Sequence, residues 1–413
     1  MTRLVNSQDR SLRDRAKAVV PGGMWGHMNA AHLPEGYPQF FERGDGSRLW
    51  DVDGNEYVDF MCSWGPIILG HHHPEVDAAA HRQLVLGDCL NGPSEAMVQL
   101  AELIVELVPH ASWVQFQKNG TDATTTAVTI ARAGTGRRKI LVARGAYHGA
   151  VPWCSPSLVG VAAEDRAHIV LFEYNDIDSL QKACEQAKGD LAGIIVSAFQ
   201  HDYGVDQTLP TPEFGQAVRA AADAGDAALI VDDVRAGFRL NLGGSWENIG
   251  IRPDLSAWSK SIANGFALAA VTGNERFREA TTSIFTTGSF WCSAVSMAAG
   301  LATLTALRRD DGVGHMTRMG QMLRDGLADL SRTYQVPIRQ TGPVQMPAVL
   351  FDDDADRRKG FAFCSAAIRQ GVYMHPLHNM FLSAAHRPDD IGRALSAAEH
   401  GFKAARAVAP AHD

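Results

Sequence analysis

The stretch Ala228-Leu229-Ile230-Val231-Asp232-Asp233-Val234 decides the fold of this chain. Four apolar residues run directly into two carboxylates, which is typical of a strand that is buried on both faces and ends at a polar edge. An amphipathic stretch at 211–224 precedes it, and a second apolar run at 191–196 precedes that stretch. Strand, helix and strand at this spacing predict a βαβ unit and a parallel sheet.

The same alternation extends further towards the N-terminus. Apolar runs at 139–142 and 168–171 read as two more buried strands, and an amphipathic stretch at 121–133 reads as a helix. We therefore expect an α/β fold whose large domain, residues 65–300, is built on a largely parallel sheet.

The two chain ends have a different pattern. Residues 38–60 predict a β-meander with turns at Asp45-Gly46 and Asp53-Gly54-Asn55. An alanine-rich helix over 296–308 opens a region of mixed helices and strands, which closes with a helix after Pro388. We predict a smaller α+β domain made from both ends, with an N-terminal and a C-terminal part at residues 1–64 and 301–413.

Composition excludes several classes of function. The chain has 413 residues, 38 Lys+Arg against 46 Asp+Glu, a formal net charge of −8 and 46% hydrophobic residues. The acidic balance disfavours nucleic-acid binding, which normally needs a basic face. No apolar run reaches the roughly 20 residues that span a bilayer. The first residues carry charges throughout, so we expect neither a secretory signal nor a membrane partner.

Cysteine and histidine usage indicates a reduced protein without a metal site. The six cysteines contain no C-x-x-C pair, so we expect free thiols and a cytoplasmic location. The run His71-His72-His73 lacks a partner motif such as H-E-x-x-H. Three adjacent histidines suit a loop better than one shared ligand geometry, and we predict no metal.

Three segments carry residues suited to one cofactor. Asp232 ends a strand, and the carboxyl ends of parallel strands form the ligand-binding edge. Lys260 has small and apolar neighbours, which favour a neutral, nucleophilic amine. Gly120-Thr121 opens a helix and offers free N–H groups to a phosphate. A carboxylate, a desolvated lysine and a phosphate cradle together predict a pyridoxal phosphate (PLP) pocket, and Tyr147, between glycines, supplies a ring for stacking.

These motifs, in this order, resemble those of the class III, fold type I, PLP-dependent aminotransferases, in the branch that includes glutamate-1-semialdehyde aminomutase. The resemblance spans about 13–402 and is carried by Pro21-Gly22-Gly23, 49–55, 63–66, 120–123, 145–149, Asp232 and Lys260. It implies a seven-stranded, mostly parallel sheet. It also implies a homodimer with shared active sites, and a cofactor that alternates between pyridoxal and pyridoxamine phosphate.

The resemblance also implies roles for individual residues. Lys260 matches the Schiff-base lysine that also moves the proton, and Asp232 matches the carboxylate that holds the pyridine nitrogen protonated. Val234 and Tyr147 would lie on the two faces of the ring. The phosphate would be bound by Gly120 and Thr121, and by Gly288 and Ser289 reaching the site of the partner subunit.

Departures from the branch disfavour the aminomutase reaction. Those enzymes bind the substrate carboxylate with an arginine where this chain has Asn29, and an amide does not replace a bidentate guanidinium. The Glu-Pro pair after the strand is here Ser197-Ala198. The usual Asp-Glu-Val carries Asp233 at its centre, and a late acidic position is His378.

A narrower resemblance, to the aminotransferases that deaminate hydrolysed fumonisin, runs through 118–120, 231–239, 287–291, 340–343 and 378–386. It implies a long-chain or bulky amine without an α-carboxylate as donor and a keto acid such as pyruvate as acceptor. We predict an apolar amine pocket from Trp25, Met28, Trp64, Phe199 and Trp291. Arg235 or Arg239 would bind the acceptor carboxylate.

Three alternatives remain open from the sequence. The chain could be an amino-acid or β-amino-acid aminotransferase whose carboxylate clamp lies elsewhere. It could be a mutase, racemase or decarboxylase, because the fold does not fix the reaction. It could also bind PLP without turnover, although the presence of Lys260 and Asp232 disfavours that.

Overall fold

The computed structural model describes residues 6–201 and 203–408. Its strands are β1 (Phe41–Asp45), β2 (Arg48–Asp51), β3 (Glu56–Asp59), β4 (Trp113–Gln117), β5 (Lys139–Ala143), β6 (Ile169–Phe172), β7 (Leu191–Ser197), β8 (Ala228–Asp232), β9 (Leu255–Trp258), β10 (Ala269–Gly273), β11 (Ile338–Thr341), β12 (Ala348–Phe351) and β13 (Val372–Tyr373). Its α-helices are α1 (Ser7–Val19), α2 (Pro74–Leu86), α3 (Glu95–Leu107), α4 (Gly120–Thr135), α5 (Ile177–Ala187), α6 (Pro212–Ala224), α7 (Arg278–Ser283), α8 (Ala294–Arg309), α9 (Gly312–Tyr334), α10 (Arg358–Ile368) and α11 (Pro388–Arg406).

The contacts between residues divide the chain into two units. One unit comprises the described residues of Met1–His73, Tyr203–Asp206 and Gly314–Asp413, and the other those of Pro74–Asp202 and Gln207–Val313. The contact boundaries thus lie at 73/74 and 313/314, while the domain bounds inferred from the sequence, at 64/65 and 300/301, stay a prediction.

The central unit, 74–202 and 207–313, holds a seven-stranded sheet in the order β4-β10-β9-β8-β7-β5-β6. The five neighbours from β9 to β6 are parallel, and β10 runs antiparallel to both β9 and β4. This confirms the predicted α/β class and the seven-stranded, mostly parallel sheet. All four apolar runs identified in the sequence form strands, namely β5, β6, β7 and β8.

The strands are apolar throughout because helices cover both faces of the sheet. Ile195 and Ile230 pack in one core cluster with Ala127, Ile130 and Ala131 of α4. Their chain neighbours in β7 and β8 point to the opposite face, into a cluster with α6. That second cluster includes Ile194, Val196, Leu229, Val231, Phe214 and Val218. The sequence run around Val231 is therefore a strand buried on both faces, as predicted.

The other unit contains the predicted β-meander. Its sheet has the order β1-β2-β3-β13, with β1, β2 and β3 antiparallel in sequence order and β13 added parallel to β3. Asp51 fixes the second turn, since its carboxylate accepts hydrogen bonds from the backbone N–H groups of Asp53 and Asn55 at 3.1 and 2.8 Å. A hairpin of β11 and β12 and the helix pair α10 and α11 belong to the same unit.

The described residues 6–201 and 203–408 contain no helix that is both long and apolar enough to cross a membrane. Within the same residues, no cluster of three or more His, Cys, Asp or Glu side chains has the arrangement of a metal site. All six cysteines are free thiols.

Candidate active site

A cavity of about 150 Å³ opens at the carboxyl ends of the central strands. The register aligns Ser197 of β7 with Asp232 of β8, and Asp232 with Ala257 of β9. The loops that leave these strands and their neighbours therefore meet at one edge, where open α/β sheets bind ligands. All lining residues belong to the central unit: Asn119, Gly120, Thr121, Thr124, Tyr147, His148, Gly149, His201, Asp232, Val234, Arg235, Ser259 and Lys260.

Asp232 is a buried carboxylate with two defined partners. Its Oδ2 lies 2.7 Å from Nδ1 of His148, and its Oδ1 accepts a hydrogen bond from the backbone N–H of Val234 at 3.0 Å. Because a carboxylate accepts hydrogen bonds, Nδ1 of His148 carries the proton. Nε2 of His148 is buried and has no hydrogen-bond partner among the described residues.

Lys260 stands on a constrained loop after β9. Its φ of 47° lies in the left-handed region, which a residue with a side chain occupies only when its surroundings hold it there. The neighbouring hydroxyls supply that restraint, since Ser259 Oγ donates to Leu268 O at 3.0 Å and Ser261 Oγ donates to Gly237 O at 2.7 Å. The lysine side chain is thereby fixed at the cavity wall.

Burial lowers the pKa of Lys260 to about 8. The positive charge of Arg235 lowers it further, and the negative charge of Asp232 acts in the opposite direction. A substantial fraction of this amine is therefore neutral near pH 8, which is the form that attacks a carbonyl or imine carbon and accepts a proton.

The start of α4 forms a cradle that only glycine permits. Asn119 caps the helix, accepting from the N–H of Asp122 at 3.1 Å. A Cβ on Gly120 would lie 2.7 Å from Cγ1 of Val234. Gly149 has a φ of +133°, and a Cβ there would lie 2.6 Å from Thr121 Oγ1. Gly120 and Thr121, the first residues of α4, both line the cavity, and the N-terminus of a helix is suited to binding a phosphate.

Tyr147 and Val234 both line the cavity. Burial raises the pKa of the Tyr147 phenol, and the nearby Cys154 raises it further. The residue is nevertheless 42% exposed. Their predicted positions on the two faces of the cofactor ring stay a prediction.

Other predicted residues are not in this cavity. Gly288, Ser289 and Trp291 follow α7, and the indole of Trp291 packs over Gly288, where a Cβ would lie 2.4 Å from Trp291 Cδ1. Phe199 is completely buried and packs edge-on against His201, with ring centroids 5.1 Å apart. The substrate roles predicted for Trp291 and Phe199 therefore stay predictions.

Trp25 and Trp64, the remaining predicted substrate residues, belong to the unit formed by the chain ends. Trp25 is 64% exposed. Trp64 and Met28 line a cavity of about 340 Å³ in that unit, and Trp64 packs edge-on against His378, with centroids 5.0 Å apart. Trp64 also has a φ of 66°, a strained conformation that follows Ser63 at 54°.

Two histidines of the cavity had no role in the sequence analysis. His148 pairs with Asp232, and His201 lies beyond the end of β7. Burial, the charge of Arg235 and, less strongly, that of Lys260 hold the pKa of His201 well below its usual value. The only available sequence signal was their position shortly after an apolar run.

Asp233 lies next to Asp232 but does not line the cavity. Its Oδ2 accepts from the N–H of Ser245 at 3.0 Å, and burial raises its pKa to about 7. This residue therefore anchors the loop after β8 from the inside. Of the two candidate arginines, Arg235 lines the cavity and Arg239 is wholly buried.

Comparison with known proteins identifies the family. Residues 32–387 match the model of the class-III aminotransferases. The chain is 47% identical to an aminopentol aminotransferase of Sphingopyxis macrogoltabida over 96% of this chain and 94% of that protein. It is 34% identical to a 3-aminobutyryl-CoA aminotransferase of Cloacimonas acidaminovorans over 95% of both chains. The FumI protein of Sphingopyxis sp. MTA144, solved as its PLP internal aldimine form, superposes with a TM-score of 0.96 at 46% identity, covering 98% of this chain and 99% of FumI.

The cavity suits PLP in its own right. It contains Lys260, whose pKa is lowered, and Asp232, a buried carboxylate that suits a protonated ring nitrogen. It also contains Gly120, which has no side chain at the start of α4. Asp232 would hold the ring nitrogen, and Gly120 and Thr121 would hold the phosphate. The family match and the PLP-bound relative agree with this chemistry. The chain belongs to the class-III aminotransferases and is a PLP-dependent enzyme.

Proposed function

We propose that this enzyme transfers an amino group to a keto acid such as pyruvate from an amine whose amine-bearing carbon has no carboxylate. The observation that carries the proposal is the hydrogen bonding of the Asn29 side chain. Its Nδ2 donates to Met24 O at 3.0 Å and its Oδ1 accepts from the N–H of Ala31 at 2.9 Å. The amide at the position of the family's carboxylate-binding arginine is therefore used within its own loop.

Two relatives support this donor class. An aminopentol is, by its name, an amine bearing several hydroxyl groups, and the related enzyme is named for it. In 3-aminobutyryl-CoA the amino group is on carbon 3, so the amine-bearing carbon again has no carboxylate. Both enzymes match nearly the whole length of this chain, and we extend their donor class to it.

Each residue of the cavity would have a separate role in the reaction. PLP, when bound, withdraws electrons from the amine-bearing carbon and so makes its proton acidic. Lys260, partly neutral because of its lowered pKa, would accept that proton and return it to the cofactor side. Asp232 would keep the ring nitrogen protonated, and His148 would hold Asp232 in place. The N–H groups at Gly120 and Thr121 would anchor the phosphate.

The keto acid requires a cation, and Arg235 is the arginine among the residues lining the cavity. We assign the acceptor carboxylate to Arg235, because a guanidinium binds a carboxylate through two parallel hydrogen bonds. Arg239 is wholly buried and unsuited to this role.

We further propose a homodimer with shared active sites, located in the cytoplasm. Phe285 is 92% exposed, and Phe290 is also exposed beside Gly288 and Ser289. Large apolar side chains flanking a predicted phosphate-binding pair support burial of this segment against a partner subunit. The free cysteine thiols, two of them exposed, support a reducing compartment.

A substrate panel tests the proposed function. The holoenzyme is incubated with pyruvate and either simple primary amines on a secondary carbon or α- and β-amino acids of matched size, and alanine and the carbonyl product are quantified together. Equimolar alanine and ketone from the carboxylate-free amines support the proposal. Turnover of the α-amino acids alone would contradict it and favour the amino-acid aminotransferase alternative.

A further inference from the structure

Asp88, in the loop after α2, is hydrogen-bonded to the start of α8. Its Oδ1 accepts from Ser293 Oγ at 2.6 Å and from the backbone N–H of Val295 at 3.0 Å, and its carbonyl oxygen accepts from the N–H of Ala294 at 3.1 Å. Burial acts to raise the pKa of Asp88, but the bonds from Ser293 and Val295 and the charge of Lys118 hold it below its usual value. An ionised carboxylate from a distant loop thus caps this helix, which a negative charge stabilises.

The start of α8 is directly connected to Gly288 and Ser289, the pair with the predicted phosphate role. The N–H of Trp291 donates to Gly288 O at 3.0 Å, and the N–H of Ser293 donates to Phe290 O at 3.2 Å. Two successive turns therefore lead from the pair to the helix cap. A displacement of the cap is expected to move the pair with it.

The segment that carries this pair has few other anchors. Residues 284–293, which the structure describes throughout, contain neither helix nor strand. Near the other end, Gln115 Nε2 on β4 donates to Thr286 Oγ1 at 2.6 Å. Side chains from two other parts of the central unit thus hold the segment near its two ends. Loss of the Asp88 contacts should shift the segment, because the Gln115 contact remains.

The surface around Asp88 is apolar. Val85 and Leu86 precede it and Leu90 follows it, and all three are exposed, as is Phe290 in the segment that Asp88 holds. The hydrogen bonds of Asp88 bring these two loops together. Neighbouring exposed apolar side chains of this kind indicate an interface, and they extend the surface already proposed to contact a second copy of this chain.

We propose that Asp88 is a positioning residue that sets Gly288 and Ser289 for the cofactor phosphate in the active site of the partner subunit. This inference rests on the proposed homodimer with shared active sites, in which each subunit supplies the same segment to the other. Asp88 does not line the cavity of its own subunit. The competing route stays within one subunit and runs through Lys118, which precedes the cradle residue Gly120 by two positions.

The affinity of the apoenzyme for PLP is the first readout. Asp88→Ala should raise the PLP Kd about tenfold or more, the effect of removing an ionised hydrogen-bond acceptor. Asp88→Asn keeps an oxygen acceptor and should lose less. Asp176→Ala is the matched control, because Asp176 caps α5 by accepting from the N–H of Ser179 at 2.8 Å. It should lower the melting temperature to a similar degree and leave the PLP Kd unchanged.

Mixed dimers show which subunit's site depends on Asp88. Two subunits with different tags are co-expressed, and purification over both tags isolates dimers with one subunit of each kind. Only a site with Lys260 gives the long-wavelength absorbance of PLP bonded to that lysine, so a Lys260→Ala subunit is silent.

Two reciprocal dimers are then compared by PLP titration. In a dimer of Asp88→Ala and Lys260→Ala subunits, the visible site receives its segment from the subunit with an intact Asp88, and we expect the wild-type Kd. In a dimer of wild type and the double variant, the visible site receives it from the subunit that lacks Asp88, and we expect a Kd about tenfold higher.

The reverse pattern would overturn the inference and show that Asp88 acts within its own subunit. An unchanged Kd in the Asp88→Ala homodimer would overturn it as well. Ser293→Ala, which removes only the hydroxyl donor, gives the same comparison if Asp88→Ala does not fold. A monomeric wild-type mass in solution would overturn the proposed homodimer and the inference with it. None of these readouts depends on which amine the enzyme accepts, so they are separate from the test of the donor class.

Discussion

Nδ1 of His148 lies 2.7 Å from Oδ2 of Asp232, and both side chains are buried at the edge of the central sheet. Two further contacts fix the histidine: Thr124 Oγ1 donates to its carbonyl oxygen at 2.6 Å, and the indole of Trp153 lies nearly parallel to its ring. The carboxylate that would hold the cofactor nitrogen is therefore held in its orientation by His148.

Replacing His148 should weaken cofactor binding. In His148→Phe, Asp232 loses a hydrogen bond in a buried site, which costs about 1.5–3 kcal/mol and corresponds to about 10- to 150-fold in the cofactor Kd and in kcat. His148→Asn, which keeps a donor, should lose less. Titration of the apoenzymes with PLP measures the Kd. Equal affinity of wild type and His148→Phe would show that the pair is merely structural.

The cradle at the start of α4 predicts a contrast between two glycines, one at the start of the helix and one that caps its end. Gly120→Ala should raise the cofactor Kd about tenfold or more, because its Cβ would lie 2.7 Å from Val234 and displace the loop that holds the phosphate. Gly136→Ala, at the C-terminal end of α4, meets no atom within 4 Å. With a φ of +66° it should cost about 1 kcal/mol of stability and leave the cofactor Kd unchanged. Equal Kd values for both variants would contradict the assignment.

Arg235 should separate the two half-reactions. Arg235→Gln removes the guanidinium from the cavity, and we expect the KM for pyruvate to rise at least about tenfold, the effect of losing a bidentate ion pair. The first half-reaction with a plain amine should change much less. Stopped-flow measurement of each half-reaction separately makes the comparison. If pyruvate binding is unaffected, another cation binds the acceptor carboxylate.

The lowered pKa of Lys260 gives the apoenzyme a pH-dependent stability. The folded pKa, about 8, lies below the ordinary value of 10.5, so between these pH values the unfolded chain binds more protons and stability rises with pH. Below about pH 8 both states are protonated and the full penalty of burying the ammonium remains. Lys260→Met removes that penalty.

Urea unfolding of the apoenzymes measures this effect. At about pH 7, Lys260→Met should be more stable than wild type by up to about 3 kcal/mol, and the difference should shrink by about pH 10. Lys188→Met, a replacement of an exposed lysine, is the control and should show no such trend. A difference that stays constant with pH would mean that Lys260 is not desolvated.

The sheet and the cavity-lining positions of Gly120, Asp232 and Lys260 were predictable because their signals are local. An apolar run such as 228–231 is long enough to be buried and short enough to be a strand, and Asp232 directly follows it. Gly120 carries the signature of a helix start. The antiparallel direction of β10 was not predictable, because an apolar run does not record which way its strand points.

The polar partners within the site were not predictable either. His148 and His201 have no periodic pattern, and their contact with the cavity depends on loops that leave different strands. Phe199 shows the opposite difficulty, because the sequence predicted a pocket residue there. An aromatic residue just after a strand gives the same sequence pattern whether it lines a cavity or packs in the core. The structure places it wholly in the interior.

The most direct test of the central claim is a two-step absorbance titration of the holoenzyme. A carboxylate-free primary amine on a secondary carbon is added first, and then pyruvate. The account predicts that the amine bleaches the visible absorbance of the bound cofactor, that one equivalent of ketone appears per active site, and that pyruvate restores the absorbance with release of alanine. Bleaching only by α-amino acids would contradict the account. It would require a carboxylate-binding residue elsewhere, because position 29, where the family has its arginine, is an asparagine.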